Sequence, residues 1–393
     1  MGWCVWEDRP HAPSFPPARR PGRHRPPRDD ARRRAQAFAA SGRDAKLTAS
    51  IEKALKTADA PGAIVGVWQH GRAPYTKAFG VRDTKTKRPM RTSFYSRIGS
   101  VTKTFTVTAI LQLADQGKVS LDDPIAKYVD GVISGDVITL RQLTNMTSGI
   151  PNYTVIKAFN DALVANPFKT WTTQELLGLA IGGPLDFAPG TSFTYSNTNT
   201  ILLGQVVQNV TGEPIGQYIE RHIVAPLGLK GTSYPEGSAF PRPHADGYGN
   251  DRGRVENVTR WNPTWTGAAG QMVSTLQDMR VWAQRLSTGR GLYSPAIARE
   301  RAASVAGNPK APIAYGIGMF NVSQWRGHNG SLPGYQTLAL YRPQSKTTVV
   351  AFINTDVEVK GKAPSTLLGE AITKVLSPKH VYDLPAAPGG EDE

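Results

Sequence analysis

"RIGSVTKTF", residues 97–105, sets Ser100 and Lys103 three apart directly after a glycine. On a helix that begins near Ser100 the two share a face, so the amine lies beside the hydroxyl. The helix start adds free backbone N–H groups and the positive end of a dipole, which help hold a developing oxyanion. A serine alone is a poor nucleophile and needs a neighbour to take its proton. A lysine does that only when burial or nearby charge brings its pKa down towards neutrality. "SVTKTF" leads into an apolar run that predicts burial. A second pair, Ser50 and Lys53 in "SIEK", has Glu52 beside the amine and reads as a solvated helix face.

Around this stretch the chain reads as one sheet interrupted by helices. Apolar residues at helical spacing in "LTASIEKALKTA" (47–58) predict a helix packed on one face. "GAIVGVWQHGRAPYTKAFGV" (62–81) reads as a hairpin turning at His70–Arg72. "GYQTLALYRPQSKTTVVAFINT" (334–355) gives two more alternating runs, and "APSTLLGEAITKVL" (363–376) a closing helix. Between them, "SVTKTFTVTAILQLADQGK", "TTQELLGLAI" and "TNTILLGQVVQNVTG" carry helical periodicity. The expected fold is therefore α+β: a central antiparallel sheet flanked by N- and C-terminal helices, with an inserted, mostly helical subdomain. The sheet subdomain is expected over 46–98 and 266–382 and the helical one over 99–265.

The 393 residues carry a net charge of +15, which suits a polyanion partner, but much of the basicity sits in "PPARRPGRHRPPRDDARRR" (16–34). Residues 1–45, rich in arginine and proline, read as a disordered tail, and 383–393, ending in "GGEDE", as a frayed one. The folded domain itself is not expected to bind nucleic acid. No apolar window is long enough to span a bilayer, and "MGWCVWEDRP" lacks the apolar core of a signal peptide. Cys4 is the single cysteine, which excludes an intramolecular disulfide. The seven histidines are scattered, with neither a metal-binding spacing nor a phosphate-binding glycine loop, so neither metal nor cofactor is expected.

Two further stretches offer groups that would meet Ser100. In "FTYSNTNTILLG", Tyr195 and Asn197 precede a strong helix. A phenolate beside an ammonium can act as a base and return the proton to a leaving group. An asparagine amide can orient the lysine and grip a substrate carbonyl. A similar pair, Tyr248 and Asn250 in "GYGND", has no structured element after it. In "WRGHNGSLPGY", His328 and Gly330 lead into the last hairpin. The glycine lets a substrate backbone approach, and the N–H of Ser331 is a candidate second oxyanion donor. His328 can position or protonate.

The ordered set Ser-x-x-Lys, Tyr-x-Asn and His-x-Gly resembles the serine β-lactamase and penicillin-binding family. The similarity is to the branch holding class C β-lactamases, D-alanyl-D-alanine carboxypeptidases and related esterases. "LRQLTNMTSGIPNY", "FAPGTSFTYSNTN", "GAAGQMVSTLQDMRVWAQRL" and "YGIGMF" match that family's connecting phrases, and the likeness spans about residues 48–376. The resemblance implies a serine hydrolase acting through an acyl-enzyme on Ser100, with proton transfer shared by Lys103 and Tyr195. It implies Asn197, His328, Asn329 and Gly330 as substrate-binding residues, and the N–H groups of Ser100 and Ser331 as the oxyanion hole. Its substrates would be D-amino acid peptides, esters or lactams, and its site the cell envelope or the exterior. Histidine in the third motif favours the carboxypeptidase side, while Asn329 stands where a threonine is usual and Met146 where a histidine is. A small-ester hydrolase, a β-lactamase and a non-catalytic or polyanion-binding protein are the alternatives.

Overall fold

The computed structural model describes residues 27–305 and 313–385. The chain divides at Gly42/Arg43 into two units, and the main sheet lies in the second. The first helix, α1, runs Pro27–Thr57. The helix expected over 47–58 thus begins inside the stretch read as a tail, whose residues 1–26 lie outside the described ones.

Among the described residues, seven strands form the main sheet: β1 (Gly62–Gln69), β2 (Tyr75–Gly80), β3 (Ile313–Tyr315), β4 (Phe320–Val322), β5 (Trp325–Leu332), β6 (Tyr335–Arg342) and β7 (Thr347–Ile353). Their order is β2-β1-β7-β6-β5-β4-β3, and every neighbouring pair is antiparallel. Strands from the two ends of the chain meet at β1 and β7, with Ala63 opposite Ile353 and Gln69 opposite Thr347. One sheet completed by both termini is the architecture expected above.

The alternation of side chains divides the sheet between two cores. Ala63, Val65 and Val67 of β1, with Val349 and Ala351 of β7, face Leu47 and Ile51 of α1 and Leu368 and Ile372 of the closing helix (Pro364–Leu376). Ile64 and Trp68, with Val350 and Phe352, face the opposite way. They join a larger core with Phe105, Leu202, Trp282 and the residues between the sheet's halves. The strands read as nearly continuous apolar runs because both faces are covered.

Three helices position the site. The first, α2 (Thr102–Asp115), ends where Gly117 takes φ +68° and its N–H bonds Ala114 O. The second, α3 (Asn197–Thr211), ends at left-handed Gly212, and the third, α4 (Leu276–Thr288), at left-handed Gly289. The rest of 99–265 holds shorter helices joined by long irregular segments, such as 225–247, so it is less helical than the sequence periodicity suggested.

Candidate active site

Ser100 stands in a single 3-10 turn, Gly99–Val101, immediately before α2. Gly99 has φ +49°, and a Cβ there would lie 2.8 Å from Ser331 N, so both conformation and space demand glycine. A Cβ on Gly330 would lie 2.0 Å from Ile98 O and 3.0 Å from Ser100 N. The backbone of Gly99–Ser100 is therefore pressed against the Gly330–Ser331 edge of β5. This brings the expected oxyanion donors, the N–H groups of Ser100 and Ser331, to the same small region. Because β4 pairs only with residues 325–327 of β5, no strand among the described residues lies beside the edge at 328–332.

Threonine is a mediocre helix former, yet α2 opens "TKTFTVT". The hydroxyls explain it. Thr102 Oγ1 accepts the Met272 N–H, Thr106 donates to Ala268 O at 2.7 Å, and Thr104 accepts from Trp282 Nε1 at 2.8 Å. These bonds tie the first turns of α2 to residues 268–272 and to Trp282, whose ring stacks on Phe105 at 3.6 Å.

Lys103, 1% exposed, follows from that fixation. Its Nζ lies 2.9 Å from Ser100 Oγ and 3.1 Å from Ala269 O, and 4.9 Å from the centre of the Tyr195 ring. Burial lowers its pKa to about 7, because no carboxylate accompanies the amine to hold the charge. At neutral pH a substantial fraction is a free amine within reach of the serine proton.

Tyr195 lies two residues before α3, with its hydroxyl buried and without a hydrogen-bond partner of good geometry. Burial raises its pKa above the usual phenol value, while the Ser100 hydroxyl acts in the opposite direction. Tyr195 is thus a neutral phenol in the resting site, not the phenolate considered from sequence. Asn197 begins α3, and its Nδ2 donates to Asn152 Oδ1 at 3.2 Å and Thr154 Oγ1 at 3.1 Å. Its amide does not orient the lysine. That task falls to the Ala269 carbonyl, which sequence reading missed because a backbone acceptor leaves no residue-type signal.

His328 is 1% exposed and faces the larger core with Gly330, while Asn329 and Ser331 take the other side of β5. Its Nδ1 bonds Asn329 O, and Nε2 lies 3.4 Å from the Tyr315 hydroxyl. Burial pushes its pKa down to about 3, with Lys103 and Arg301 adding a smaller effect. It is a neutral imidazole, and it packs on Phe320 at 4.9 Å and Tyr195 at 6.2 Å between ring centres. Tyr315, from "YGIGMF", stands edge-on to Tyr195 at 5.9 Å. The sequence pointed to this phrase without giving its tyrosine a place. Met146 is buried, and its sulfur accepts from Asn199 Nδ2 at 3.6 Å, a structural contact. The rival pairs behave otherwise: Lys53 and Asn250 are exposed, and the Tyr248 hydroxyl accepts the Thr84 N–H.

The β-lactamase family model matches residues 47–371. Protein flp of Staphylococcus aureus (strain MW2) is 28% identical over 318 residues, 78% of this chain and 62% of that protein. A D-aminopeptidase of Cereibacter sphaeroides is 26% identical over 329 residues, 81% of this chain and 62% of that enzyme. The chain thus spans less than two thirds of the length of these curated relatives. A D-stereospecific amidohydrolase from Streptomyces sp. superposes with a TM-score of 0.75 at 31% identity, covering 85% of this chain and 98% of that one. With the family model running unbroken from α1 into the closing helix, across both halves of the sheet and every motif of the site, the chain belongs to the β-lactamase family.

Proposed function

We propose that this chain is a serine amidohydrolase that cleaves amides or short peptides of D-amino acids through an acyl-enzyme on Ser100. The observation that carries the reading is the buried Lys103 amine, 2.9 Å from Ser100 Oγ with its pKa brought to about 7. Lys103 takes the Ser100 proton as Oγ attacks the substrate carbonyl carbon, and the oxyanion is met by the N–H groups of Ser100 and Ser331. The proton passes by way of the Tyr195 hydroxyl to the leaving nitrogen, the C–N bond breaks, and the amine departs. Water then attacks the ester with the same groups in reverse, releasing the acid and Ser100.

An uncharged leaving group suits this site better than a terminal D-alanine. A carboxypeptidase must hold a carboxylate, and the third motif offers the neutral, buried His328 rather than a cation. The amidohydrolase and aminopeptidase names among the similar proteins favour the same substrate class.

The test is intact-protein mass after a fluorophosphonate and, separately, a fluorescent penicillin, followed by turnover of D-alanine amide, D-Ala-D-Ala and p-nitrophenyl acetate, with Ser100→Ala as control. A Ser100-dependent fluorophosphonate adduct with D-amide turnover above that of D-Ala-D-Ala is expected. Preferred cleavage of D-Ala-D-Ala would restore the carboxypeptidase reading, and ester turnover alone the esterase one. No adduct on folded protein would remove the enzyme reading altogether.

A further inference from the structure

A cavity of about 580 Å³ lies between the end of α4, the loop that follows it, the helix α5 (Pro295–Ser304), the start of β5 and Pro343. None of its lining residues belongs to the Ser100 site. Arg290, Arg299 and Arg326 all line it, and no acidic side chain does. Among the described residues none of the three makes an ion pair.

An arginine taken partly out of water without a counter-charge costs stability unless something else supplies one. Arg326 is in that position: it is half-buried, and desolvation holds its pKa below the usual value. A second, uncharged signal coincides with it. Ser287, also in the lining, is 4% exposed, and its buried hydroxyl has no hydrogen-bond partner. The helix ends do not decide the sign. The C-terminus of α4 and the N-terminus of α5 both reach the cavity, and their partial charges, each about half a unit, oppose one another. Three full positive charges remain. Pro295, Ala298 and Pro343 give the rest of the wall an apolar surface.

We propose that this cavity is a second ligand site, binding a small organic anion that joins a phosphate or carboxylate to an apolar group. The guanidinium groups take the anion, with bidentate geometry available to either oxyanion, and the apolar wall covers the remainder. The site is independent of the acyl-enzyme chemistry.

Titration calorimetry on the full chain tests it, with phenyl phosphate, phenylacetate and, as the neutral analogue, benzyl alcohol. One saturable site for at least one of the two anions is expected, with no heat from the alcohol, and the tighter of the two identifies the oxyanion. Arg299→Gln with Arg326→Gln weakens that binding at least tenfold and leaves p-nitrophenyl acetate turnover within twofold. Arg299→Glu alone, at an exposed helix position where folding is not at stake, weakens it at least tenfold as well. Saturable binding of neither anion, or affinity unchanged in both variants because the anion sits at Ser100 or the basic N-terminus, would overturn the proposal.

Discussion

The Lys103 amine lies 2.9 Å from the Ser100 hydroxyl, inside a core where burial acts on its charge unopposed. The neutral form is the one that accepts a proton, so acylation rises with pH and levels off above about 7. The kcat/KM of an activated ester, followed from pH 5 to 9, gives that profile. Lys103→Arg keeps a cation at every pH, so the rising limb disappears and the rate falls by about 10²- to 10⁴-fold. A limb unchanged in the variant would assign the titration to another group.

The same burial has a stability consequence. The folded pKa, about 7, lies below the ordinary 10.5, so between these values the unfolded chain binds the extra proton. Stability therefore climbs as pH rises through that window, by up to roughly 5 kcal/mol. Lys103→Met should be more stable than the parent at pH 7, with the difference shrinking towards pH 10. Urea midpoints at the two pH values measure it.

His328 moves in the same sense at lower pH. Its folded pKa of about 3 against an ordinary 6.5 means that stability is lost as pH falls below 6.5, because the unfolded imidazole takes a proton first. His328→Gln removes this group, so the acid side of the stability curve should be flatter in the variant. Equal slopes would locate acid sensitivity elsewhere.

Tyr195→Phe separates chemistry from packing. The hydroxyl it removes is buried and poorly bonded, so stability should hold or rise by about 1 kcal/mol. Turnover should fall by about 10²- to 10⁴-fold, since proton delivery to the leaving group is lost. A large loss of stability with modest loss of rate would make the tyrosine structural.

Gly330→Ala tests the close approach of β5 to the nucleophile turn. Its methyl would meet Ile98 O at 2.0 Å, a backbone atom that cannot swing aside. The strand edge must retreat from Ser100, and displacement on the order of 1 Å costs about 10²-fold in rate. Acylation measured by stopped-flow ester burst should fall by at least that factor.

The sheet was legible because its strands and covering helices write their periods openly. Ala63 to Val67 and Val349 to Ile353 are apolar at every position, and Leu47 to Leu55 repeat at helical spacing. The strand β5 was harder. Gly327, Asn329 and Gly330 have poor strand propensity, and they form a strand because β6 pairs with it from Arg326 to Leu332 and Ile98–Ser100 excludes side chains from its edge. The short strands β3 and β4 carry too few residues to show a period.

Residue types and spacing were enough to group Ser100, Lys103 and Tyr195, since each motif sits before an apolar helix and the set has a family's order, whereas the Asn197 amide is held by Asn152 and Thr154. Their electrical state was decided only by tertiary structure. Whether an amine is neutral at pH 7, or an imidazole stays uncharged at pH 4, depends on how many low-polarity atoms surround it and whether a counter-charge stands nearby. Those neighbours, Ala269 beside Lys103 and Tyr315 beside Tyr195 among them, come from more than 100 residues away along the chain. Backbone acceptors such as Ala269 O carry no residue identity to read. Desolvation is a property of the packed neighbourhood, and no local spacing of residue types encodes it.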